Sequence, residues 1–480
     1  MSEPISRVIQ PGSFERQDHY YTKVLNAQVH PLIRYFFNLK NERIAERYAH
    51  LHPEVKPEAI RAALSHTPRH YRWGGTDLFA VTTEHGVRQI VVIETNSCPS
   101  GQKSMPPLAE DQDQAGYRML LERSFMPMLK RRNLPQGGLA VLYDKNPMEN
   151  TGYAATLADL ANEPVHLIYA PDSTEDRAFR FTEDRVLEVR DPDGAWAPIR
   201  AAFRYVTQRP WNRLPPVTRT PLFNPVLICL AGGRNKMLAA KAYDLYNARI
   251  QQTGLTIRTP ETIWDVNRAE VPLWVARMGG SAVIKVPYSN AGQGVFTVTS
   301  NEELDAFMDQ DPPYDRFIVQ ALIGHTRWSS RGRQGQLNQL GTIPNRKGQI
   351  FVADMRFMVG ASPDGFYPVA IYARRARSPL TAERPTGMQS WSMLGTNLSV
   401  KTDGGGWDTE HGRLTLMDSR DFNLLGVGLD DLIEAYIQTV LAMAAIDEMA
   451  NQLVTQRNRF RQRFFRSINP DPALVSEIIT

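Results

Sequence analysis

Glu94-Thr95-Asn96 closes the run Val91-Val92-Ile93 and leads into Ser97-Cys98-Pro99-Ser100-Gly101, where a proline and a glycine end an extended segment. Residues two apart on a strand share a face. The oxygens of Glu94 and Asn96 therefore stand side by side, the donor type that a hard cation such as magnesium takes, although a solvated strand edge uses the same residues. Lys285 lies between Ile284 and Val286, and the loop Ser289, Asn290, Ala291, Gly292, Gln293, Gly294 follows it. A lysine embedded in a strand needs an anion, and glycine lets backbone N–H groups close over phosphate oxygens; a hairpin with an exposed lysine is the plainer reading. Lys236 comes after Ala231-Gly232-Gly233-Arg234-Asn235 at a helix start, where a cation suits the helix dipole only if an anion accompanies it. Asp354 and Arg356 share one face of a strand at 351–359, and the segment 367–373 delivers Arg374, Arg375 and Arg377 into a loop. Arginines on adjacent strands are suited to a transferring phosphoryl group.

Other chemistries find no support. The chain has no G-x-x-x-x-G-K-[ST] loop, no G-x-G-x-x-G after its first buried strand and no G-x-S-x-G elbow. Cys98 and Cys229 are the only cysteines, too few for a disulfide framework, and Cys98 reads as a small buried filler. His50 and His52 read as a surface pair.

The elements that must hold these residues are readable in outline. Residues 19–66 carry helical periodicity, and Tyr71 to Thr95 alternates as a β-hairpin that puts Asp77 on the strand beside Glu94 and Asn96. A β-α-β pattern follows, with strands at 139–143 and 165–169 around a helix over 153–162, which implies a parallel sheet. Further strands are expected at 178–190 and 201–207, and a proline-rich link over 210–221 marks a boundary. The segment 317–323 reads as a buried strand, and 429–453 as a packing helix. The arginine- and phenylalanine-rich run 457–466 reads as a solvated helix face or a contact between copies of this chain.

With 480 residues, 42% hydrophobic and 22% charged, the composition is that of an ordinary folded protein of about three domain-sized units. A formal charge of +4 gives no global field for nucleic acid or an anionic membrane. A cytoplasmic location is expected, with no nucleic-acid or membrane partner.

Taken together and in order, Lys236, Lys285 with its glycine loop, the strand 317–323, Asp354-Met355-Arg356, the arginine loop and Asn397 resemble the ATP-grasp superfamily. The chain looks most like its circularly permuted ligases related to glutathionylspermidine synthase, because Asp77 and the Glu94-x-Asn96 strand precede the rest. The resemblance implies an α/β fold of α+β ATP-grasp type: a helical N-terminal segment (1–67), permuted metal-binding strands (68–105), a Rossmann-like pre-ATP-grasp unit (106–225), the ATP-grasp lid and core (226–420) and a C-terminal helical segment (421–480). It further implies ATP and two magnesium ions, held by Asp77, Glu94 and Asn96. Lys236 and Lys285 would meet the α- and β-phosphates, the loop Ser289 to Gly294 would cover the triphosphate, and Gln320, Ala321, Leu322 and Ile323 would meet adenine, with Asn397 nearby. Arg356 and Arg374 or Arg375 would face the γ-phosphate. Two departures stand out: Gln320 replaces the acid many members carry, and Cys98-Pro99-Ser100-Gly101 is one residue longer than the usual ending. The activity implied is ATP-dependent ligation of a carboxylate to an amine, both small molecules or peptides, through an acyl phosphate with release of ADP. A phosphotransferase with the same ATP site and a non-catalytic ATP-binding scaffold are the alternatives.

Overall fold

The computed structural model describes the chain apart from residues 1–4, 110, 172–176, 192, 209, 289–293, 312–313, 334, 384–389, 402–406 and 479–480. It is a mixed α/β molecule with several sheets. The expected hairpin is present as β1 (Trp73–Thr83) and β2 (Arg88–Ser97). The β-α-β pattern is β3 (Gly138–Tyr143), α1 (Pro147–Ala161) and β4 (Val165–Tyr169), joined by β5 (Trp196–Tyr205). α1 begins six residues ahead of the periodic segment because Pro147, with its fixed φ and no N–H, starts it.

The later half supplies α2 (Lys236–Ile250), β6 (Thr262–Asn267), β7 (Ala282–Lys285), β8 (Val295–Val298), β9 (Arg316–Ala321), β10 (Gly335–Gln339), β11 (Ala353–Ser362), β12 (Gly365–Arg375) and α3 (Leu429–Gln452). The 1–67 segment holds short helices, two of them opened by Pro31 and Pro57 at their first turn. It also holds an unexpected strand, Ser6–Ile9, antiparallel to β4.

Three larger sheets result. β3 lies between β4 and β5 and is parallel to both, so the loops after β3 and β5 emerge at one edge. The order β6-β9-β7-β8 forms an antiparallel sheet that carries Lys285 at the end of β7. In the third, β1 pairs with β2 on one side and with β11 and β10 on the other, and β11 pairs with β12. Thus Asp77 faces Arg356 across β1 and β11, although they are far apart in the chain. α3 is mostly apolar and largely buried, and packs against β2. Its Asp447 accepts the backbone N–H groups of Arg69, His70 and Tyr71 at 2.9, 2.7 and 2.8 Å, fixing the approach to β1.

No helix among the described residues is long and apolar enough to cross a membrane. His52 is not a solvated surface residue: its ring meets Glu434 of α3, which also binds Arg258. Phe465 of the basic run is buried, so that run has an inner face.

Candidate active site

The β1–β2 register explains the site. Asp77 opposes Glu94, but Leu78 opposes Val92, so Ile93 is an extra, bulged residue. A bulge leaves a residue out of the ladder and re-aims its groups. Here the Ile93 carbonyl accepts from the Lys285 ammonium at 3.3 Å, which joins β2 to β7. Beyond the bulge, Glu94 and Asn96 reach the wall of a cavity of about 1020 Å³ that Asp77, Lys285, Asp354, Arg356 and Arg374 also line. Tyr71 anchors this end of β2 by donating to the Asn96 carbonyl at 2.8 Å. Its ring occupies the space a Cβ on Gly74 would need, 2.6 Å away, so glycine is required there.

The charges are arranged in two groups. Arg356 makes a two-point contact with Asp77 at 2.6 and 2.8 Å, and Arg374 reaches Asp77 at 2.9 Å while holding Asp354 through its Nε at 3.0 Å. Burial opposes ionisation of Asp77, but the two arginines outweigh it and hold its carboxyl well below the usual carboxylate range. Asp354 moves the other way, because burial dominates over Arg374. In the second group, the Lys236 ammonium lies 3.4 Å from Glu94, and Lys285 donates to the Gln320 amide oxygen at 2.7 Å. Burial pulls Lys285 down to about 8, with Glu94 offsetting part of the cost.

Not every expected residue stands where the chemistry would need it. Lys236 opens α2, whose N-cap Asn235 accepts the Leu238 N–H at 3.1 Å, but it lines a small neighbouring cavity rather than the main one and lies 3.4 Å from Glu94. Arg375 is turned away by strand alternation: its guanidinium lies 5.1 Å from the Phe351 ring centre, and only Arg374 of the pair lines the main cavity. Asn96 has its Oδ1 engaged by Arg234 at 3.1 Å. Gln320, Ala321, Leu322, Ile323 and Asn397 line the cavity. The Ala321 N–H is already given to Glu261 and the Leu322 N–H to Ser330, each at 2.8 Å, so neither remains for a base edge. Gly294 lines the cavity; Ser289, Asn290, Ala291, Gly292 and Gln293 lie outside the described residues.

Sequence reasoning missed Lys103, Lys145, Arg234 and Tyr205, which also line the cavity. Lys145 carries a signal in hindsight, since it follows a parallel strand at its carboxyl end, where ligands gather in such sheets. Glu149 was missed as well. Fully buried in the first turn of α1, it accepts from Gly101 N and Gln102 N at 2.9 Å each and from Ser100 Oγ at 2.7 Å. It thereby pins the loop after the Glu94–Asn96 strand to the parallel sheet. Cys98 is buried and its thiol donates to the Arg204 carbonyl at 2.9 Å, as a filler would.

Among the described residues no group of three His, Cys, Asp or Glu side chains could hold an ion. Magnesium usually takes one or two carboxylates plus substrate phosphates and waters; Glu94 lines the cavity as such a donor, whereas both oxygens of its cross-strand partner Asp77, expected as a ligand, already accept from Arg356 and Arg374.

No protein-family model and no curated protein matches the chain. Among solved structures, it is similar to a RimK domain ATP-grasp protein from Sphaerobacter thermophilus DSM 20745, at 14% identity over 51% of this chain and 92% of that one, with a TM-score of 0.29. It is also similar to a glutathione synthetase-like effector from Globodera pallida, at 10% identity over 78% and 88%, with a TM-score of 0.40. A D-alanine-D-alanine ligase from Coxiella burnetii is similar at 11% identity over 66% and 97%, with a TM-score of 0.24. Likeness at these levels carries no argument about residues or reaction.

Proposed function

We propose that this chain is an ATP-dependent carboxylate–amine ligase of circularly permuted ATP-grasp type. The observation that carries the reading is the joining of the Asp77–Asn96 hairpin to β11 and β12, which brings Glu94, Asn96, Lys285, Arg356 and Arg374 onto one cavity from distant parts of the chain. Magnesium, when bound, would neutralise phosphate charge; Glu94 would hold it, with Asn96 released from Arg234, while Asp77 stays with its two arginines. Lys285 would draw a phosphate towards the cavity wall. Arg356 and Arg374, held rigid by Asp77 and Asp354, would meet the negative charge that grows as a substrate carboxylate takes the γ-phosphoryl group. The amine then displaces phosphate from the acyl phosphate, and no enzyme nucleophile is needed. That agrees with Cys98, whose thiol burial pushes up to about 11.

The test is ADP release from ATP and magnesium with panels of acids and amines, comparing the parent with Glu94→Ala. Turnover that falls by at least about a hundredfold in the variant is expected. Hydroxylamine should trap the acyl phosphate as a hydroxamate. Full turnover in Glu94→Ala would refute the metal assignment, and ADP release without any hydroxamate would favour a phosphotransferase.

A further inference from the structure

We propose that the end of the main cavity built by the parallel sheet binds a second acidic group of the substrate, so that the acid activated here carries two separated negative groups. This deepens the ligase reading and rests on it for the fate of the first carboxylate. The site is made where β3 stops and where the loop after β2 turns back: Lys145 follows β3, and Lys103 stands on the turn Gln102–Ser104. Lys103 is 8% exposed, with its ammonium 3.3 Å from Asn146 Oδ1 and 5.0 Å from the centre of the Tyr21 ring. The half-buried Lys145 ammonium has no hydrogen-bond or ion-pair partner among the described residues. Burial, then Arg234, pulls it down to about 8.

The carboxylates near this end are already engaged. Asp144 accepts from Thr207 N, Gln208 N and Arg213 at 2.7, 2.6 and 3.0 Å, and Glu149 is satisfied by the 100–102 loop. Asp77 and Asp354 are held by Arg356 and Arg374. One buried and one half-buried lysine, with no unengaged carboxylate beside them among the described residues, make the folded chain carry uncompensated positive charge, which an anion would relieve. Ammonium groups are point charges, so a carboxylate or a phosphate meets them equally well. A one-acid substrate placed at Arg356 would leave both lysines unanswered.

The experiment is isothermal titration of the full chain at pH 7 with glutarate, adipate, 3-phosphonopropionate and, as the one-charge control, butyrate. At least one dianion should bind at least about tenfold more tightly than butyrate. That preference should be lost in Lys145→Gln and in Lys103→Gln and largely restored in Lys145→Arg, with butyrate affinity unchanged and the melting transition not lowered in the glutamine variants. The tighter of the adipate or glutarate arm and the phosphonate arm tells carboxylate from phosphate. Butyrate binding as well as every dianion, or full dianion preference kept in both glutamine variants, would overturn the proposal. Titration with magnesium and ADP runs beside it: failure of ADP to bind the parent would refute the ligase reading, whereas dianion preference is judged without nucleotide.

Discussion

Lys285→Met separates a lysine kept for a ligand from one kept for the fold. Lys285 is 5% exposed, and burial lowers its pKa from 10.5 to about 8. At about 1.4 kcal/mol per pH unit, holding that charge inside opposes folding by roughly 3 kcal/mol at pH 7. Methionine fills a similar volume without the charge. The substitution also takes away the 2.7 Å donor of Gln320 Oε1 and the 3.3 Å donor of the Ile93 carbonyl, which returns about 1–3 kcal/mol of destabilisation. Urea denaturation at pH 7 should therefore find the variant between equal in stability and about 2 kcal/mol more stable than the parent. Nucleotide affinity, measured by titration with magnesium and ADP, should fall at least about tenfold through loss of a charge-assisted contact. The pH dependence has a definite sign. Because the folded pKa of this lysine is lowered, its cost is fully present below about pH 8 and fades as pH rises towards 10.5, so the parent should gain on the variant across that window. A variant that loses more than about 2 kcal/mol yet binds nucleotide as the parent does would refute the reasoning and make Lys285 a structural bridge to Gln320.

Asp77→Asn should cost about 3–5 kcal/mol in denaturation, because Arg356 and Arg374 keep their charges inside the protein with one partner gone. The Asp77 carboxyl is held below its ordinary range, so its contribution is present above about pH 4 and is lost as pH falls through the lowered pKa; the gap between parent and variant should close in acid. Glu149→Ala should cost about 2–4 kcal/mol by stranding the Gly101 and Gln102 N–H groups, and an unchanged unfolding midpoint would show that the 100–102 loop has another anchor. Cys98, with its thiol pushed up by burial, should react with a thiol reagent at pH 8 only as fast as the protein opens, and immediate labelling of the native protein would contradict its place under Arg204.

Strand and helix identity, and the chemical residue types, were open to reading from the chain alone because they depend on local periods. The hairpin bearing Asp77 and Glu94, the parallel β-α-β unit, the lysine at the start of α2 and the long apolar α3 each followed from alternation, turn residues or 3.6-residue spacing. Pairing across long separations was not. That Arg356 clasps Asp77, that Arg375 turns outwards while Arg374 turns in, and that the amides of Ala321 and Leu322 are already taken depend on register between strands remote in sequence. A one-residue shift would reverse each of them. The bulge at Ile93 inserts one residue between the core-facing stretch of β2 and its chemical end, an offset that no local period encodes. Lys103 and Lys145 look like solvated lysines in the sequence. Only the meeting of the 100–102 loop with the end of the parallel sheet, through the buried Glu149, turns them towards a shared cavity. Sequence determines which charges the chain owns, but their energies depend on how much water and which opposite charges the fold leaves beside them, and that is settled by tertiary contacts.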